Sequence, residues 1–170
     1  MITNHAWAQQ GTRQLGPHQH GHGQFHLVIE GRKATMELHI PGHDITGFEH
    51  KPSTPAQIAV MNKARAQLRA GLELFVLPAA ARCKLASVTV ATAKEEHHDG
   101  EDDDDGDAHM EFRVHYALDC GAPQKLDRIR FDFFKKFPSA QVLEMMFISD
   151  EGQRVYNITA ANPVAELDAR

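Results

Sequence analysis

The 170-residue chain lacks any apolar run near the roughly 20 residues that a bilayer core demands, so nothing in it reads as a membrane span. Positive charge is scarce as well. Eighteen Lys and Arg face 23 Asp and Glu, a net charge of −5. A nucleic-acid partner is therefore not expected, because such binders need a cationic face to displace counterions. The patterns H-E-x-x-H, G-x-S-x-G, G-x-x-x-x-G-K and G-x-G-x-x-G are all missing, and with them any support for enzymatic activity. Cysteine is nearly absent, with two residues. Against these shortages stand 12 histidines and one short, intensely acidic run.

That run spans Lys94 to Asp107 and holds nine acids against one base. The rest of the chain has 17 bases and 14 acids, so a nearly neutral body carries one acidic appendage. A block of like charge repels itself, and residues 94–108 read as a solvated, disordered loop. Residues 1–21 are rich in Gly, Gln and His without periodicity and read as a flexible arm. Within them Ala6-Trp7-Ala8 resembles the small-x-small cleavage site of an exported protein, although no apolar segment precedes it in this chain. The expected organisation is the arm, one domain over 22–160, and a tail over 161–170.

Two strands open the domain, over Gln24–Glu30 and Ala34–Ile40, joined by Gly31-Arg32 as a hairpin. In the second, Met36, Leu38 and Ile40 alternate with Thr35, Glu37 and His39, the period of a half-buried strand. After a loop over 44–51, Thr54 as N-cap, Pro55 in the first turn and Gln57 closing a capping box predict a helix. Ile58, Met61, Arg65 and Leu68 continue it at helical spacing, and Gly71 reads as its C-cap. Further strands are expected over 84–92, 109–120, 129–134, 142–148 and 154–158. The fold class is α+β: a mostly antiparallel sheet or sandwich with one main helix packed on it.

Cys83 and Cys120 each lie eleven residues outside Lys94 and His109, the pair expected to face each other across the base of the acidic loop. If the flanking strands form a hairpin, the two sulfurs face each other, with Cα atoms at about 4.5–5.5 Å, which suits a disulfide. A disulfide implies an oxidising compartment. The alternative is a pair of unrelated reduced thiols. Met110, Phe112, Val114, Tyr116, Leu118 and Cys120 share an apolar face that should meet the core. His109, Glu111, Arg113, His115 and Asp119 share the outward face, with His109 where the acidic run leaves the sheet.

His18, His20 and His22 form an H-x-H-x-H run, in which alternate residues of an extended chain lie about 6.6 Å apart on one side. Neighbouring imidazoles at that spacing can converge on one ion at a Zn–N distance of about 2.1 Å. His22 and His26 are about 13 Å apart along a strand, and His109 and His115 about 20 Å, so neither pair shares an ion. An ordered site must collect single ligands from several segments. His22, His50 and His109 sit where a strand begins or a loop ends. Glu49 adjoins His50, although neighbours in a strand point to opposite faces. His39 and His115 lie mid-strand and read as ordinary surface histidines. Nitrogen ligands beside carboxylates favour Zn²⁺ over Mg²⁺ or Ca²⁺, while copper and nickel accept the same donor types.

Several motifs together resemble one family. They are His22-Gly23 opening a strand that ends in Glu30-Gly31, and the stretch Gly47-Phe48-Glu49-His50-Lys51-Pro52-Ser53-Thr54. Leu77-Pro78-Ala79-Ala80-Ala81-Arg82-Cys83 follows, then His109-x-Glu111-Phe112 leading to Tyr116 and Cys120, Phe134-Lys135-Lys136-Phe137-Pro138, and a closing Gly152-Gln153 strand. On these residues the chain resembles the ZrgA-like periplasmic zinc-binding proteins, found beside zinc-uptake systems of Gram-negative bacteria. The resemblance implies periplasmic zinc binding in support of zinc uptake and homeostasis, with an inner-membrane or TonB-type transport component as partner. The ordered site is then expected from His22, His50 and His109, completed by Glu49 or His26, with His20 of the run as a further ligand. His18, His97, His98 and Asp99 would capture ions weakly. The competing expectation is a structural or adaptor domain of the envelope whose histidines are incidental.

Overall fold

The computed structural model describes residues 20–94 and 109–167. The fold is α+β. Strands β1 (His22–Glu30) and β2 (Lys33–Pro41) form the opening hairpin, and helices α1 (Gly42–Thr46), α2 (Pro55–Arg69) and α3 (Gly71–Leu74) follow. The short strand β3 (Phe75–Val76) precedes the long hairpin of β4 (Cys83–Lys94) and β5 (Met110–Cys120). Then come β6 (Arg128–Phe131), α4 (Phe133–Lys136), β7 (Val142–Ser149), β8 (Gly152–Thr159) and β9 (Val164–Glu166). Six strands make one sheet in the order β4-β5-β2-β1-β7-β8, and three make a second in the order β3-β6-β9. Every pairing is antiparallel except β1 with β7, strands far apart in sequence.

The alternation of β2 is realised residue by residue: Ala34, Met36, Leu38 and Ile40 are buried while Thr35, Glu37 and His39 face outward. The apolar face of β5 is buried as its pattern requires. The small sheet packs on that inner face through aromatic rings. Phe75 lies 4.5 Å from Phe25, 5.6 Å from Phe131 and 5.8 Å from Tyr116, centroid to centroid. Such tilted and edge-on pairs add about 0.5–1.5 kcal/mol each beyond the area they bury. At the start of α2 the Thr54 hydroxyl accepts the Gln57 N–H at 3.2 Å, and the Gln57 side chain accepts the Thr54 N–H at 3.3 Å. The capping box is complete.

Several expectations are corrected. Helix α2 ends at Arg69, with Ala70 as its cap, and Gly71 instead opens α3. A Cβ on Gly71 would lie 2.4 Å from the Tyr116 ring, so glycine is required there by packing and not by a helix end. The strand expected over 129–134 stops at Phe131, because Phe133 and Phe134 turn into α4 and bury both rings. Residues 161–170 are not simply a tail, since Val164–Glu166 pairs with β6. Glu111 is fully buried although it belongs to the polar face of β5. Arg113 pairs with it at 2.6 Å and His39 lies over it at 3.7 Å. The long hairpin holds Cys83 opposite Cys120, but a bulge between Leu85 and Ser87 shifts the register, so Lys94 pairs with Met110 and not with His109. The two cysteines form a disulfide with S–S 2.04 Å. The acidic run expected as a disordered loop, and nearly all of the stretch expected as a flexible arm, lie outside the described residues, but His20 and Gly21 form a turn before β1.

Candidate metal centre

Three segments converge beside the first residues of β1 and β5. The first is the turn before β1. Gly21 adopts φ +83°, a left-handed conformation that costs glycine little. Its N–H donates to both carboxylate oxygens of Asp44, at 2.9 and 2.8 Å. Asp44 is buried in α1, and that burial pushes its carboxyl above the ordinary value, while the Gly21 N–H pulls it partly back. This clamp fixes the backbone that carries His20. The His20 ring then stacks on His43, the residue before Asp44, with centroids 4.6 Å apart and planes 16° from parallel.

The second segment leaves α1. Gly47, at φ +81°, caps that short helix and donates to the His43 carbonyl at 2.8 Å. The Thr46 hydroxyl lies within hydrogen-bond distance of the Gly42 and Phe48 carbonyls, at 2.9 and 2.8 Å, tightening the turn that delivers Glu49. The third segment is joined to it by the backbone: the Met110 N–H donates to the Glu49 carbonyl at 3.0 Å. His109 therefore enters β5 beside Glu49.

The side chains meet as this backbone dictates. One carboxylate oxygen of Glu49 lies 2.7 Å from His20 Nε2, and the other contacts His109 Nδ1. The ligand atoms of His20, Glu49 and His109 all lie within 4.8 Å of one another. Two ligands of a tetrahedral zinc ion, each at about 2.1 Å, are about 3.4 Å apart. The group thus needs only small side-chain adjustments to hold an ion. Glu49 is largely covered while both imidazoles are about half exposed, which leaves a solvent side for a fourth ligand and for ion entry.

Of the residues expected from sequence, His20, Glu49 and His109 are brought together, and His22, His26 and His50 are not part of the group. His22 begins β1 beyond the left-handed bend at Gly21, so it does not follow His20 to the same side. The His50 ring stacks on Phe48 at 5.2 Å, its Nδ1 lies 3.1 Å from the Lys51 carbonyl and its Nε2 3.4 Å from the Gln57 amide nitrogen. Adjacent residues diverge, and Glu49 takes the site. His26 lies within β1, 4.0 Å from Glu37. His18, His97, His98 and Asp99 lie outside the described residues. His43 and Asp44 were not expected at all. An acid beside an imidazole after Pro41-Gly42 was visible, but no spacing tells that Asp44 reaches back to residue 21.

No helix among the described residues is long and apolar enough to cross a membrane. A comparison with curated proteins returned no match. The family model of the ZrgA family zinc uptake proteins matches residues 17–167, a span that holds all three converging segments, the long hairpin and both sheets; the chain belongs to that family.

Proposed function

We propose that this protein is a non-catalytic zinc carrier of an oxidising compartment, the periplasm, that binds Zn²⁺ through His20, Glu49 and His109 and supports its uptake. The convergence of two imidazoles and one carboxylate from three segments carries this reading. Two nitrogen donors and one oxygen suit a borderline ion better than Mg²⁺ or Ca²⁺. The Cys83–Cys120 disulfide supports the compartment, since such bonds persist where thiols are not kept reduced. The nine acids between Lys94 and Asp107 would raise the local concentration of cations around the carrier. The partner would be an inner-membrane or TonB-type transport component that receives the ion.

Calorimetric titration of the metal-free full chain with Zn²⁺ tests the proposal. A saturable phase with one ion per chain is expected. Alanine at His20, Glu49 or His109 should weaken it at least about tenfold, or about 1.4 kcal/mol, while alanine at His22 or His50 should leave it unchanged. A titration with no stoichiometric phase would favour an adaptor domain with incidental histidines.

A further inference from the structure

The outward face of the six-stranded sheet carries a second collection of imidazoles that the strand register alone brings together. His26 of β1 stands directly opposite Glu37 of β2, and Glu37 stands directly opposite His115 of β5. His39 is the next outward residue of β2, diagonal to His26 and opposite Arg113. Directly opposed residues have Cβ atoms about 4.5–5.5 Å apart, within side-chain reach. His26, Glu37 and His39 are each between a third and a half exposed.

The spacing of their polar atoms is informative. His26 Nδ1 is 4.0 Å from the Glu37 carboxylate, and the His26 and His39 rings are 6.3 Å apart. At 4.0 Å the His26–Glu37 contact is too long for a hydrogen bond. It exceeds the edge of a zinc tetrahedron, about 3.4 Å, by roughly half an ångström. Two imidazoles on one zinc ion place their centroids about 5 Å apart, so the ring pair needs a shift of about 1 Å. Rotamer adjustment of half-exposed side chains covers both. The backbone need not move, because β1 and β2 are central strands with neighbours on both sides.

We propose that His26, Glu37 and His39 hold a second divalent transition-metal ion on this face, with His115 or water completing the coordination. Two nitrogen donors select Zn²⁺ or a similar borderline ion over Mg²⁺ or Ca²⁺. Neighbouring charge ranks this site below the first. Arg113 stands opposite His39, and its guanidinium repels a dication; it also pairs at 2.6 Å with one oxygen of Glu111, a fully buried carboxylate whose other oxygen lies 3.7 Å from His39 Nδ1. Glu37 is left as the anionic ligand.

The test uses the full, metal-free chain with ¹⁵N-labelled histidine, titrated with Zn²⁺ alone and followed through the imidazole nitrogens. The His26 and His39 ring nitrogens should move in a saturable phase that begins as the first equivalent is filled. The double variant His26→Ala/His39→Ala should lose this phase and keep the earlier one, and Glu37→Gln should weaken it about tenfold. If the alanine pair lowers the thermal midpoint, His26→Gln/His39→Gln replaces it. Movement of His26 and His39 without His20 and His109 would uphold this site and overturn the proposed first one. Ring nitrogens of His26 and His39 that stay fixed under excess zinc, or drift without saturation together with the other exposed histidines, overturn the proposal.

Discussion

Replacing Gly71 by Ala sets two opposing effects against each other, and the structure decides the sign. Gly71 opens α3, and helix propensity alone would favour Ala by about 0.8–1.0 kcal/mol. The added Cβ would lie 2.4 and 2.5 Å from two carbons of the Tyr116 ring. Carbon atoms normally approach to about 3.5–4.0 Å, so the overlap is about 1 Å. Tyr116 cannot easily retreat. It is fully buried, its ring meets Phe75 edge-on at 5.8 Å, and its hydroxyl donates to the Leu68 carbonyl at 2.7 Å. Overpacking a core costs about 1–3 kcal/mol. Dragging the hydroxyl off its buried acceptor adds about 1–3 kcal/mol if that bond breaks. With the propensity gain subtracted, Gly71→Ala should destabilise the oxidised protein by about 1–5 kcal/mol with that bond broken. Urea unfolding followed by circular dichroism should show a lower midpoint with an unchanged slope. In a Tyr116→Leu background the same change should cost less, because the obstacle has gone and the two sites are coupled. A midpoint for Gly71→Ala equal to or above wild type would refute the packing argument and restore Gly71 as a simple helix end.

Three further outcomes are expected. Reducing the Cys83–Cys120 bond, which closes a loop of sequence separation 37, should lower stability by about 4 kcal/mol on the chain-entropy account, read as the difference between unfolding curves with and without reductant. Asp44→Ala should cost about 1–3 kcal/mol, because the buried Gly21 N–H loses both acceptors. It should also weaken zinc binding in calorimetry although Asp44 is not a ligand, and equal affinity would show that the clamp does not position His20. Asp119 is held below the ordinary carboxyl range by hydrogen bonds and charge from Lys33, with Arg32 adding to it, and Asp132 likewise by Lys135 and Arg130. A depressed folded value means their stabilisation is present above the unfolded value, about 3.9, and is lost as pH falls below it. The Asp119→Asn/Asp132→Asn variant should therefore show a flatter acid limb of stability below about pH 4, and an unchanged limb would remove these pairs from the account.

Local chemistry was legible without the structure. The Thr54, Pro55 and Gln57 cap starts α2 because its hydrogen bonds join residues three apart. The burial of Met36, Leu38 and Ile40, and of alternate residues from Met110 to Cys120, follows from a period of two that any pleated strand imposes. The facing of Cys83 and Cys120 was legible because both lie at the far ends of two strands that flank one loop and differ by a single residue. Tertiary structure decided what these rules do not reach. The bulge after Leu85 shifts the far half of the hairpin by one residue, and only the pairing of whole strands determines that. The parallel contact of β1 with β7 joins segments more than a hundred residues apart, which no local pattern encodes. The choice of His20 over His22, and of Glu49 over His50, depends on the left-handed turn at Gly21 and on the Met110 N–H bond to the Glu49 carbonyl. Composition announced a chain rich in metal ligands. Which of them share an ion depends on backbone directions at the ends of separate elements, and those directions exist only once the sheets have assembled.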